Sequence, residues 1–506
     1  MFIGPFLFSK SLILGTLSSI SILGESMSIR VRFAPSPTGY LHIGGARTAL
    51  YNYLLAKSKG GKFILRIEDT DEERSERKFE ELQIDDLKWC GVTHDEGPGI
   101  GGEYAPYRQS ERLDSYLKYA HELVDKKQAF YDFCSGEELE QMKQENLEKG
   151  TSAYTGKWRN EEFFEEAKQK IANGEKASIR FKVDASKSFS LKDLVRSQVN
   201  FPANMVGDFV IMRSNGVPTY NFCNVIDDHM HAISHVLRGE EHLNNTVRQL
   251  MIYEAFGWEA PTFAHLSIMI GSDRQKLSKR HGATSVHLYK EEGYLPEALM
   301  NYLCLLGWSH PEEKSIFKIK DIENIFDETR FNKSPAMYDI EKLKWTNGQH
   351  LKLLSADELL EHALDILPKD GLFHSHNKEW QVTCLDLLVE KIQVITEVES
   401  MLENLMIKVN YDRTEATDEI KSWETTPKIA AYVQSQLEKT SDDYVSADEF
   451  SSWMDYCKKE LAIKGKPLFM GFRYTLTGQD HGPDLKVLVP LIPVRVLKER
   501  LKNILG

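Results

Sequence analysis

Residues 276–282 read "KLSKRHG", three cationic side chains and a histidine within seven positions of a chain whose formal net charge is −13. Lys276, Lys279 and Arg280, held together on one loop, suit a partner carrying several negative charges, such as a polyphosphate. Far upstream, Pro35–Gly45 reads "PSPTGYLHIGG". Gly44 and Gly45 lack side chains and open a helix, whose free amides and positive dipole end favour phosphate. His42 stands just before them and could donate a hydrogen bond to a phosphate oxygen. Taken singly, each feature is ordinary, a glycine-rich turn and a solvated basic loop. Together they suggest phosphate held from two sides.

The elements that must position these residues follow from the pattern around them. Ile29 to Phe33 alternates apolar and basic residues, a period-two strand that breaks at "APSPTG". "ARTALYNYLLAKSKGG" then places Ala46, Leu50, Tyr53 and Leu54 on one helical face and stops at Gly60-Gly61. "KFILRIEDTD" is a largely apolar strand ending in acid. Strand, turn, helix and buried strand make a βαβ unit, so an α/β domain with a parallel sheet is expected, with ligands collecting at the first strand-to-helix turn. From Tyr107 the texture changes to charged helical segments and a β-like "SIRFKV", read as an inserted subdomain. The sheet is expected to resume in "DFVIMRSNGVPTYNFCNVIDD", with Ser214-Asn215-Gly216 a tight turn between strands. Beyond Leu351 helix signals dominate. Ser355 with Glu358, and Ser446 with Glu449, form capping-box patterns ahead of apolar runs, and Pro368 ends the first run.

Composition sets the outer limits. At 506 residues, 41% hydrophobic and 27% charged, the chain can bury a sizeable core in two to four domains. A pI near 5.7 excludes wholesale coating of nucleic acid but leaves room for a local basic face. The cysteines, Cys90, Cys134, Cys223, Cys304, Cys384 and Cys457, occur singly and never as CxxC. That pattern suggests reduced thiols in a cytoplasmic protein. The apolar stretch within residues 1–26 is too short and serine-rich for a membrane span and lacks the marks of a secretory signal. Met27, which opens the strand "MSIRVRF", is read as the true start and the leader as spurious or disordered.

"HIGG" and "KLSKR", in that order and one split domain apart, resemble the two signatures of class I aminoacyl-tRNA synthetases. Their last positions, Gly45 and Arg280, resemble the glutamyl-tRNA synthetase branch. The longer strings "RFAPSPTGYLHIGGARTALYNYLLA", "RIEDTD", "PTYNFCNVIDDHMHAISHVLRGEEHL" and "KLSKRHG" are similar to the bacterial members of that branch in the same order. The resemblance runs from Met27 to the end and is weakest in the helical C-terminal part.

It implies a Rossmann-like catalytic domain, residues 27–106 and 205–273, split by an acceptor-binding insertion, 107–204. A KLSKR loop and stem-contact region, 274–350, and an all-α anticodon-binding domain, 351–506, would follow. The implied reaction is attack of the glutamate carboxylate on the α-phosphate of ATP, then transfer to the 3′-terminal adenosine of tRNA(Glu). Such chemistry is mostly positioning and electrostatic stabilisation. His42, Lys276 and Lys279 would be catalytic; these three, with Gly44 and Glu241, would bind ATP. The amino-acid substrate brings an ammonium and two carboxylates, so its site needs an acid and a paired-hydrogen-bonding arginine. By motif these are Glu68, and Arg32 and Arg238, with Ala34, Ser36, Tyr220 and Asn224 completing the pocket. Magnesium would arrive with ATP. Asp227-Asp228-His229 is read as structural, and since only Cys134 remains of the closely spaced zinc ligands of some relatives, no protein-bound zinc is expected. Trp345, Arg473 and Tyr474 are candidate platforms for anticodon bases. The expected partners are tRNA(Glu), with tRNA(Gln) open, and the expected state is a monomer without membrane attachment.

Overall fold

The computed structural model describes residues 28–71, 73, 75–149, 154–202, 205–278, 284–406 and 414–505. The leader and Met27 lie outside these ranges, and so do Lys279 and Arg280. The chain begins with β1 (Arg30–Phe33), α1 (Ile43–Ser58), β2 (Lys62–Leu65) and α2 (Arg77–Trp89). An excursion follows through α3 (Leu113–Asp125), β3 (Ala129–Asp132), α4 (Gly136–Lys149), α5 (Phe164–Ala172) and β4 (Ser178–Phe181). It continues through the hairpin β5 (Phe189–Asp193) and β6 (Ser197–Phe201) to β7 (Phe209–Met212). Next come α6 (Tyr220–Met230), β8 (His235–Gly239), α7 (Leu243–Phe256) and β9 (Thr262–Leu266).

The sheet order β2-β1-β8-β9 is parallel throughout, with Val31 opposite both Phe63 and His235. This is the expected α/β domain. Strand β1 is buried along its whole length, arginines included. Its alternation therefore marks paired charges, not a solvent face. Arg30 donates to both Glu96 carboxylate oxygens at 2.8 and 2.9 Å, and Arg32 donates to Asp228. The β1–α1–β2 unit closes tightly: Gly60 adopts φ +63°, and a Cβ on Gly61 would stand 2.2 Å from the Ile29 carbonyl oxygen. Val31, Leu50, Leu54 and Phe63, all fully buried, form the core between α1 and the sheet.

One segment joins a different sheet from the one its sequence suggests. "DFVIM" does not resume the parallel sheet: β7 pairs antiparallel with β4, completing the insertion's own sheet β3-β4-β7. The Ser214-Asn215-Gly216 turn forms, with Gly216 at φ +84°, but beyond a single bridge from Met212 to Pro218 the chain enters α6 rather than a strand. Strand propensity of "FVIM" was legible; which sheet it joins depends on β4, about thirty residues upstream, and is not a local property.

Beyond the sheet, β10 (Met269–Ile270), α8 (Val286–Glu291), α9 (Pro296–Leu305) and β11 (Ala336–Met337) carry the chain toward the helical part. The helices Ala356–Ile366 and Ala447–Lys459 both start on capping boxes, Ser355 with Glu358 and Ser446 with Glu449. Two apolar cores organise this region, one around Leu359, Phe373 and Leu385, the other around Ile429, Phe450 and Phe472. Among the described residues no helix is long and apolar enough to cross a membrane.

Candidate active site

A cavity of about 840 Å³ opens at the carboxyl ends of the parallel strands. Ligands of open α/β sheets collect at this end. Arg32, Ala34, Ser36, His42, Gly44, Glu68, Tyr220, Asn224, Arg238, Glu241 and Lys276 all line it. Lys279 and Arg280, also singled out from sequence, lie outside the described residues.

One end of the cavity is set by the start of α1. His42 is the N-cap, and its Nδ1 accepts from the Gly44 amide at 3.0 Å. That bond fixes the tautomer: Nδ1 carries the lone pair and Nε2 the proton. Burial, and secondarily the charge of Lys276, push the imidazole below its ordinary pKa, so the ring is neutral and donates through Nε2–H. The Gly44 amide, expected to face phosphate, is spent on His42. Gly44 acts instead by its missing side chain, since a Cβ there would come within 3.2 Å of His42 Nδ1.

Both ends of the basic loop are tied down beside His42. Ile43 N–H donates to Thr284 O and Val286 N–H to Leu41 O, each at 2.9 Å, around a bridge between His42 and Ser285. At the other end Leu277 N–H donates to Met269 O at 3.0 Å. Lys276 Nζ lies 3.4 Å from Glu241 Oε1. Burial opposes ionisation of Glu241, but its own backbone amide and Lys276 outweigh it and hold the carboxyl below its usual value. Lys276 and His42 thus present donors to one cavity.

The other end is a buried charge network. Arg32 donates to Asp228 through Nε at 3.0 Å and Nη2 at 3.3 Å, and Arg66 Nη1 donates to the same carboxylate at 2.6 Å. Burial would raise the Asp228 carboxyl, yet the two arginines bring it down to about 2. Arg66 Nη2 and Asn224 Nδ2 both donate to Glu68 Oε1, at 3.1 and 2.9 Å. For Glu68 burial wins, and its pKa stands above the ordinary carboxyl value. Asp227 takes bonds from Arg112, Gln109 and Tyr116 at 2.7–2.9 Å. Ionised, the four arginines 32, 66, 112 and 238 and the three acids 68, 227 and 228 leave one net positive charge. A buried excess of this kind favours an anionic occupant.

Sequence reasoning passed over Arg66, Asp228 and Arg47. Arg66 sits inside the quoted "RIEDTD" and Asp228 inside the trio read as structural, so the motifs contained them without indicating which arginine meets which acid. Arg47 is buried and reaches Leu306 O at 2.7 Å and Ser267 O at 2.5 Å, pinning α1 to the chain beyond β9. His229, the third member of the trio, stacks on Trp258 at 3.7 Å and faces no ligand site. Among the described residues no group of His, Cys, Asp and Glu could hold a metal ion. Of the candidate base platforms, Trp345 is 43% exposed, whereas Tyr474 is buried.

A split parallel sheet with an amide-rich helix start, a basic loop and a helical C-terminal part is the architecture of a class I synthetase. Residues 28–345 match the family "tRNA synthetases class I (E and Q), catalytic domain", and residues 358–505 match "Anticodon binding domain". The chain belongs to the class I (E and Q) tRNA synthetase family. Glutamate–tRNA ligase 1 of Caldicellulosiruptor saccharolyticus is 43% identical over 485 residues, 94% of this chain and 99% of that protein. The glutamate–tRNA ligase of Bacillus subtilis is 42% identical over 484 residues, with the same coverage. A solved glutamate tRNA ligase from Elizabethkingia meningosepticum, in complex with its amino acid, superposes with a TM-score of 0.82 at 33% identity. It covers 94% of this chain and 99% of that one.

Proposed function

We propose that this chain is a glutamate–tRNA ligase, joining L-glutamate to tRNA(Glu) through glutamyl-adenylate with release of pyrophosphate and AMP. The observation that carries the reading is a single cavity with two unlike ends, donors suited to phosphate at one and one net positive charge at the other. L-Glutamate carries one net negative charge and fits the second end. Arg238 and Arg32 take its carboxylates and Glu68 its ammonium, with Ala34, Ser36, Tyr220 and Asn224 shaping the space. A glutamine amide would point donors at an arginine and is rejected.

ATP occupies the other end, with magnesium as part of that substrate. His42 donates through Nε2–H and Lys276 through its ammonium to the phosphates, Glu241 meets the ribose, and Lys279 joins Lys276 on charge that builds as pyrophosphate departs. No protein-bound zinc belongs to this reading. Cys134, the one cysteine near the insertion's first sheet strand, lies 3.2 Å from the Tyr154 hydroxyl. Burial, foremost, pushes its thiol up to about 11. The insertion, 107–204, grips the acceptor end, 274–350 follows the tRNA stem, and 351–506 reads the anticodon, in a cytoplasmic monomer.

Aminoacylation of purified tRNA(Glu) and tRNA(Gln) with labelled glutamate tests the reading. Charging of tRNA(Glu) is expected, and charging of neither tRNA would refute it. The tRNA(Gln) arm decides whether the C-terminal domain admits both.

A further inference from the structure

Arg238, on β8, is 5% exposed and lines the cavity. Its nitrogens are not equivalent. Nη2 donates to Thr246 Oγ1 at 2.8 Å and Gln249 Oε1 at 2.7 Å, and Nε donates to His265 Nε2 at 3.2 Å. Nη1 is buried and has no protein partner. An arginine nitrogen left unsatisfied in a cavity wall is costly unless a ligand completes it. The question is what aims it.

His265, on β9, is fully buried, and its Nδ1 lies 2.7 Å from Asp193 Oδ2. Asp193 also accepts from the His265 amide at 3.1 Å, and from the Val195 and Arg196 amides at 2.9 and 2.7 Å. Every one of these partners is a donor, so both Asp193 oxygens must accept. The imidazole therefore carries its proton on Nδ1, and Nε2 must offer its lone pair. Arg238 Nε–H, at 3.2 Å, and the Thr246 hydroxyl, at 3.0 Å, both face that lone pair. Burial, above all, keeps His265 from taking a second proton despite Asp193.

We propose that Asp193 and His265 are positioning residues for Arg238, fixing the tautomer that orients its guanidinium and leaves Nη1 for a substrate carboxylate. The proposal rests on the reading of Arg238 as a glutamate-binding residue. It also gives the insertion a part in amino-acid recognition, because Asp193 ends the β5 strand of the β5–β6 hairpin, which Leu194 N–H ties to Phe263 O at 2.9 Å. Asparagine at 193 has the same shape but one donor too many. Either orientation sets an NH2 against an N–H, and the one facing the ring converts Nε2 into a donor pointed at Arg238, the tautomer inversion an aspartate-to-asparagine change causes in a catalytic triad.

The test is glutamate-dependent ATP–pyrophosphate exchange by the full chain with saturating tRNA(Glu). D193N should raise KM for glutamate about 10- to 100-fold and leave KM for ATP within about twofold. H265Q keeps an acceptor toward Arg238 and has no tautomer to set, so it should stay within about threefold of the parent, whereas H265L should match D193N. In the H265Q background D193N should add less than about twofold, a non-additivity that a merely structural loss would not give. If D193N does not fold, the H265Q and H265L pair decides alone, and equal effects from the two overturn the proposal. R238K separates the two levels of the argument. An unchanged glutamate KM in R238K removes Arg238 from the pocket and the proposal with it. A raised KM in R238K with a parent-like D193N overturns the positioning role only.

Discussion

Replacing Glu68 by glutamine removes one charge from the cavity while keeping its shape. Arg66 and Asn224 both donate to Oε1, so the amide oxygen can take that place and keep both bonds. The NH2 group then replaces Oε2, the atom left for the substrate ammonium, and sets a donor against a donor. A hydrogen bond to a charged group contributes roughly 1.5–3 kcal/mol, so glutamate KM should rise about 10- to 150-fold with ATP KM nearly unchanged. Stability should move the other way. Burial raises the folded pKa of Glu68, against the pull of Arg66 and Arg32. A raised carboxyl contributes stability that is full below its unfolded pKa and lost as pH climbs through its folded one, so at neutral pH the ionised group is a net cost. E68Q should therefore melt no lower than the parent at pH 7 and lose that pH dependence. Pyrophosphate exchange over a glutamate series, with a thermal melt at pH 5 and 7, measures both. An unchanged glutamate KM, or a sharply lower melting temperature with normal KM, would refute the reasoning.

Further outcomes follow from the geometry. H42A loses the N-cap of α1, worth about 1 kcal/mol, and the Nε2–H donor, so melting should fall by a few degrees and activation by about a hundredfold. H42N should restore the melt but not the full rate. Because the His42 pKa is depressed, its cap bond contributes above the ordinary histidine range and is lost as pH falls through the lowered value. Activation should be flat from pH 7 upward and drop only on the acid side. G44A, whose Cβ would press on His42 Nδ1, should slow activation about tenfold with little change in melting. L54A empties a fully buried site between α1 and the sheet and should cost roughly 2–5 kcal/mol in denaturant unfolding of the catalytic half.

The legible parts of this chain were those whose cause is local. The helix α1, the stop at Gly60-Gly61 and both capping boxes are written within a few positions of the elements they define, although α1 is buried nearly all round rather than on one face. Arg30 and Arg32 show the limit. Their alternation on β1 reads as a strand, but that both are buried depends on Glu96 and Asp228, which meet them only in the folded sheet. The cavity residues were found through motifs carried from a family, whereas Arg66, Arg47 and the Asp193–His265 pair were missed because each acts through a partner distant in sequence. The assignment of "FVIM" to the parallel sheet failed for the same reason. A helix at Tyr220–Met230 was hidden by the strand-like run ahead of it.

The most direct measurement is ATP–pyrophosphate exchange by the full chain with glutamate, glutamine or aspartate in turn, each with and without tRNA(Glu). The account predicts exchange with glutamate alone among the three, lowered in H42A. Exchange driven equally by glutamine, or none with glutamate and tRNA together, would contradict it.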